Sequence, residues 1–215
     1  MVAVTDAPRR AEVLRVLHRY LVEIVERHAL CPWARAAREG GELAIEIVWG
    51  APTFEAWVAA AEELLARPAT RVAMVVAPEL AIAPAELRAV RDRVAARLPA
   101  AGIADFHPAA PLDLATPARL VPFLRRAPDP LLQLVPLALL DAVRAAPPIA
   151  DRARQAQLLG GLALPPARDV AARIAADNHA TASAAHAEIA ATLDDIARDR
   201  RDSYVRVGIS ASPGP

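Results

Sequence analysis

The sequence predicts an α/β fold: a small, mostly parallel three-stranded sheet flanked by helices, with a proline-rich wrapping segment and a helical C-terminus. Two observations carry this. Three short apolar runs, "ELAIEIVWG", "TRVAMVVAP" and "IADFHP", alternate with two stretches of helical texture, and strand, helix, strand alternation implies right-handed crossovers between parallel neighbours. Beyond Pro108 the texture changes: Pro111, Pro117, Pro122, Pro128, Pro130 and Pro136 stand among leucines and valines. Such a segment reads as ordered, apolar and irregular, and so as a wrap over the core.

From Arg10 to His28, Leu14, Leu17, Leu21, Ile24 and Val25 recur at helical spacing. They predict an amphipathic helix that ends near Pro32. "ELAIEIVWG" is rich in branched residues and closed by Gly50 and Pro52, which reads as a buried strand. "TFEAWVAAAEELLARP" opens on Thr53 as N-cap and runs as a helix to Pro68. "PAELRAVRDRVAARLPAAG" is the second crossover helix. A short helix is expected around Leu137 to Arg144, then a turn region bounded by Gly-Gly and Pro-Pro pairs. From Asp169 to about Asp202 an alanine-rich helical pattern runs, with a break expected near Asn178, and "SASPGP" reads as a frayed tail.

The 215 residues suit one well-buried core. The expectation is a single domain over 1–215: an α/β core at 10–108, the wrap with short helices at 109–166, a C-terminal helix or helices at 167–204 and a tail at 205–215. One cysteine excludes an intramolecular disulfide framework and a Cys-rich zinc site. No signal segment opens the chain and no apolar run approaches the ~20 residues that span a bilayer, so the expected location is the cytoplasm, with no membrane partner. Acids and bases balance at 25 each, and few aromatics are present for base stacking, so nucleic acid is not an expected partner. Every base is arginine, which excludes a Schiff-base or P-loop lysine.

In open parallel sheets ligands bind beyond the carboxyl ends of the strands, where loops converge. His107 lies there, in "DFHPAAP", with Asp105 two residues earlier and placed to orient an imidazole. It reads equally as a satisfied histidine at a strand end. Cys31, in "RHALCPWAR", is either a small buried hydrophobe or a thiol whose pKa Arg35 lowers. His28 continues the stripe of the first helix. His179 and His186 lie seven residues apart, ~10.5 Å along a helix, too far for one metal. The glycine-rich nucleotide motif, the Gly-x-Ser-x-Gly elbow, His-Glu-x-x-His and the di-iron Glu-x-x-His pairs are all absent.

"LCPWARAARE", "FHP" and "RRAPDPLLQLV" together resemble the three signature blocks of a bacterial family, the domain of unknown function numbered 1415. The resemblance covers roughly residues 10–145, with a weaker echo in "PPARDVAARI". Cys31, Pro32, Ala34 and Arg35 match the first block, with Trp33 where the family has phenylalanine. Phe106, His107 and Pro108 match the second; Arg126, Pro128, Pro130, Leu132 and Leu134 match the third. Arg125, Ala127, Asp129 and Gln133 depart from it, and a Cys-His-His metal triad would lose one ligand at Gln133. The resemblance implies that Cys31, His107 and Arg126 form a site; it implies no reaction, since the family has none assigned.

The expectation is therefore an enzyme, an oxidoreductase with a small-molecule substrate. Its pocket would lie between the third strand, the Cys-Pro-Trp turn and the proline-rich segment. His107 is the candidate axial ligand or general base, Cys31 the second ligand or reactive thiol, and Arg126 and Arg35 the anion-binding groups, with Trp33 and Phe106 against a cofactor. Haem is the first cofactor candidate, because it needs one axial ligand, an apolar cavity and arginines, and Cys-Pro occurs at some haem sites. A single non-haem metal on His107 and Cys31 is the second, with a poor ligand set. The alternatives are a cofactor-free enzyme with Cys31 as nucleophile activated by His107, and a non-catalytic protein-binding module. A homodimer through the C-terminal helix completes the expectations.

Overall fold

The computed structural model describes residues 6–139 and 170–210. The first helix, α1 (Asp6–Tyr20), buries Val13, Val16, Leu17 and Tyr20 at helical spacing and runs straight into a π-wound stretch, Leu21–Glu26, that buries Leu21 and Ile24. It stops just before the Cys-Pro pair, where Ala29 takes φ 51° and the Leu30 amide donates to the Val25 carbonyl at 2.9 Å. A short α2 (Ala34–Glu39) leads to β1 (Leu43–Ile47). Next, α3 (Phe54–Leu65) begins as expected on Thr53, whose hydroxyl accepts from the Ala56 amide at 3.3 Å. Then come β2 (Val72–Val76), α4 (Pro84–Arg97) with proline in its first turn, and β3 (Ala101–Phe106).

The proline-rich segment departs from expectation. It contains α5 (Pro117–Leu124), capped by Thr116, and then a fourth strand, β4 (Leu131–Pro136). The sheet is thus mixed and four-stranded, in the order β1-β2-β4-β3, with β4 inserted antiparallel to both neighbours. The reason lies in "LLQLV": Leu131, Leu132 and Leu134 are each at most 1% exposed, so the run is apolar toward both faces, as a central strand must be. Pro130 precedes the strand and Pro136 ends it, so no interior ladder donor is lost.

Leu131, Met74, Val76 and Ile47 face one core with α1, α5 and the C-terminal helix, whereas Leu132, Leu134, Ala73 and Val75 face a second core with α3 and α4. The period-2 alternation of the strands makes these two layers. Asp105, paired in register with Leu132, belongs to the α4 side, while Phe106 packs against the first core.

The C-terminal helix, α6 (Val170–Arg206), is continuous through Asn178. A break does not form there because the Asn178 amide donates outward to the Leu30 carbonyl at 3.0 Å and leaves its own backbone alone. The helix stops at Gly208, φ 70°, where the Ile209 amide donates back to Tyr204 at 2.9 Å and Gly208 to Val205 at 3.2 Å. That Schellman closure buries Ile209, so the expected tail is packed at its start. Most of the helix expected at Leu137–Arg144, the following turn region and residues 211–215 lie outside the described residues. Among the described residues no helix is long and apolar enough to cross a membrane.

α6 lies antiparallel along α1, through Ala182, Ile189, Leu193 and Ile196 and a ladder of ion pairs: Arg27–Glu188 (2.8 Å), Arg19–Asp195 (2.9 Å), Arg19–Asp199 (2.7 Å) and Arg15–Asp199 (2.8 Å). The apolar stripe offered for a homodimer is therefore occupied by the chain's own first helix. The hydrogen bonds of Arg15 and then Arg19 hold Asp199 down at about 2, below its usual 3.8. An acid with a depressed folded pKa stabilises above its unfolded value and loses that contribution as pH falls through the window, here from 3.8 to about 2. Asp199→Asn is expected to lower the urea midpoint at about pH 5 and to make little difference near pH 2; an equal gap at both would show that the link is not ionic.

Candidate functional site

The carboxyl ends of β1, β2 and β3 share one edge of the sheet, and the Phe-His-Pro turn leaves β3 there. His107 is 7% exposed. Its Nδ1 accepts from the Ala109 amide at 3.0 Å, so the ring hydrogen sits on Nε2, which donates to the Ile82 carbonyl at 2.9 Å. Its own amide donates to the Arg125 carbonyl at 3.0 Å. The imidazole is a strut that ties the β2–α4 loop to the β3–α5 turn. Asp105 does not orient it.

That strut forms one wall of a cleft of about 200 Å³ between α4 and α5. Arg88 and Arg91, one turn apart on α4, enter it beside Asp105, His107 and Arg125. Arg91 Nε lies 3.5 Å and Arg125 Nη1 4.0 Å from the same oxygen, Asp105 Oδ1. Arg91 Nε is buried and has no hydrogen-bond partner among the described residues; its approach to Asp92, 3.2 Å, is not in hydrogen-bonding geometry. Arg88 makes no ion pair among the described residues. Burial pushes the Arg125 pKa down, Asp105 opposes this, and the positive charges of Arg91 and Arg88 push further down. Two of the three guanidiniums thus share the one carboxylate that lines the cleft, and Arg88 adds a third positive charge.

The other expected site residues fall into two groups. Phe106 and Arg126 stay near His107: Phe106 lies under the Arg125 guanidinium at 6.0 Å, and Arg126 donates to the Pro108 carbonyl (3.0 Å) and to Asp194 on α6 (3.1 Å). Arg126 is a clamp between the turn and the C-terminal helix. Cys31 and Trp33 sit apart on the turn before α2, with Arg35 in the first turn of that helix. Cys31 is free and half-buried, and Trp33 is exposed. Arg35, 65% exposed, pairs with Glu26 at 3.4 Å, a carboxylate that Arg38 holds more closely at 2.6 Å. Cys31 does not line the cleft and shares no hydrogen bond with His107 among the described residues. Both Cys31 and Arg125 act on the buried Tyr20 hydroxyl, whose pKa rises chiefly through burial.

A haem or single metal on His107 and Cys31 fits these residues poorly. Both ring nitrogens of His107 are committed to backbone groups, and a ligand bond would orphan the Ile82 carbonyl or the Ala109 amide. Among the described residues no three His, Cys, Asp or Glu side chains converge to hold a metal ion. Two other histidines are bound elsewhere: His179 to the Leu114 carbonyl at 2.9 Å and His186 to the Ser183 carbonyl at 3.3 Å.

The residues missed from sequence are Arg88, Arg91 and Arg125. Their only signal was an i, i+3 arginine pair on the helix that crosses to β3 and an Arg-Arg step after α5. No protein-family model, curated protein or solved structure matches this chain.

Proposed function

We propose that the protein binds a small anionic molecule in the cleft at the end of β3, with Arg88, Arg91 and Arg125 as the anion-binding groups and Asp105 holding two of them in place. The observation that carries this is the excess of positive charge around one carboxylate. Guanidiniums held together and partly desolvated repel one another, and a bound counter-anion relieves that cost while accepting paired N–H donors. The position agrees with the general placement of ligands beyond the carboxyl ends of sheet strands. The volume restricts the ligand to a small metabolite.

An oxidoreductase built on His107 and Cys31 has less support, since the imidazole offers no free nitrogen. A thiol enzyme remains a second reading on one observation, the free and half-buried Cys31. Alkylation of Cys31 across a pH series tests it: a reactive thiol is expected to titrate well below ~8.5, and an ordinary value ends that reading.

The anion reading is tested by thermal unfolding at constant ionic strength with inorganic phosphate, for the wild type and Arg88→Gln. Arg88 is exposed and unpaired among the described residues, so the variant keeps the fold. Phosphate about a hundredfold above Kd adds about 2.7 kcal/mol, a rise of several degrees in Tm. The rise is expected in the wild type and reduced in the variant. Equal behaviour of the two proteins would contradict the proposal.

A further inference from the structure

Resting on the anion reading, we infer that the cleft selects a dianionic head group carried on one centre, a phosphate monoester, over monoanions and over dicarboxylates. The charge around it decides this. Three guanidiniums line the cleft with one carboxylate, and the fifth polar group, His107, accepts from an amide on Nδ1 and donates to a carbonyl from Nε2. The cleft therefore carries a net charge of about +2, which one dianion neutralises and one carboxylate does not.

The geometry separates a phosphate from a dicarboxylate. Arg91 and Arg125 approach the same atom, Asp105 Oδ1, from α4 and from the end of α5. Asp105 thus draws the two guanidiniums to one place, and they do not form two separate stations. A tetrahedral head with three terminal oxygens accepts from several guanidinium forks at one place, whereas a dicarboxylate spreads its two charges along a chain. Pro111, Val121 and Pro122 leave an apolar wall for the remainder of the ester.

The charged and titratable groups lining the cleft are Arg88 and Arg91 from α4, Asp105 and His107 from β3 and its turn, and Arg125 after α5; Asp92, 65% exposed, lies outside the lining at 3.2 Å from Arg91 Nε. Tyr20 of α1 acts on Arg125 from behind. Guanidiniums stay charged throughout the neutral range, so the ligand's second ionisation, near pH 6 for a monoester, governs the pH dependence.

Calorimetric titration of the full chain with methyl phosphate, methyl sulfate, acetate and malonate, from about pH 5 to 8 at constant ionic strength, tests this. Methyl phosphate is expected to bind about tenfold more weakly at pH 5 than at pH 8. Methyl sulfate, monoanionic throughout, is expected to bind at least about tenfold more weakly than the dianion and to show a flat profile, which also reports any titration of the protein itself. Methyl sulfate or acetate binding as tightly as methyl phosphate would overturn the dianion claim and leave the anion reading standing. Malonate binding more tightly would overturn the single-centre claim. Binding of none of the four would remove both.

Discussion

Asp129→Ala is expected to cost about 3–5 kcal/mol of folding stability, because it strips the counter-charge from a buried cation. Asp129 is 1% exposed and Arg200 8%. The carboxylate accepts from Arg200 Nε at 2.7 Å and from the Tyr204 hydroxyl at 2.6 Å, while Arg200 donates a further bond to the Pro78 carbonyl at 2.8 Å. Burial pushes the Asp129 pKa up, and the charge of Arg200 and the hydrogen bonds oppose it. The group is therefore held in place by partners that lose their own satisfaction when it leaves. This latch pins the last turns of α6 to the loop after β2 and to the entry of β4. Urea unfolding with an unchanged m-value would measure the loss; a variant within about 1 kcal/mol of the wild type would show that the latch adds nothing. By contrast the exposed Arg67–Glu63 pair (2.7 Å) should contribute under about 1 kcal/mol.

His107→Ala is expected to cost about 2–4 kcal/mol, in protein that has been given no cofactor. Removal of the ring leaves the Ile82 carbonyl and the Ala109 amide without partners, at about 1–3 kcal/mol for each group that water cannot reach. The same change loosens the turn that follows Asp105 and is bonded to the Arg125 backbone, so phosphate affinity should fall with stability. The reading of His107 as an axial ligand or base expects the opposite pattern, a loss of activity with little loss of stability. A variant that unfolds at the wild-type urea midpoint would remove the strut and restore that reading.

Much of the α/β framework was legible in the sequence because its signals are local. Thr53 announces α3, and the branched runs around Ile45 and Val75 announce β1 and β2. β4 was not legible as a strand: its prolines suggested irregular wrapping, and only the sheet shows that Pro130 and Pro136 stand at its ends. Continuity of α6 through Asn178 depends on Leu30, which is 148 residues away in the chain. The same non-local dependence governs the site. His107 and Asp105 were placed correctly at the edge of the sheet, but the role of His107 is set by two backbone groups that no spacing reveals. Among 25 bases, all arginine, sequence cannot tell which lack a carboxylate. Arg126 and Arg35 matched the resembled family blocks and proved to be paired, whereas Arg125 and Asp129, two departures from those blocks, are the residues that line the cleft and close the latch.

The central claim, that a small anion binds among Arg88, Arg91 and Arg125, is tested most directly by mapping backbone amide NMR shifts during titration with inorganic phosphate at constant ionic strength. Saturable shifts confined to Arg88, Arg91, Ala110, Ala118, Val121 and Arg125 are the expected result. Shifts that leave these amides unmoved, or that cluster instead around Arg35 and Arg38, would contradict it.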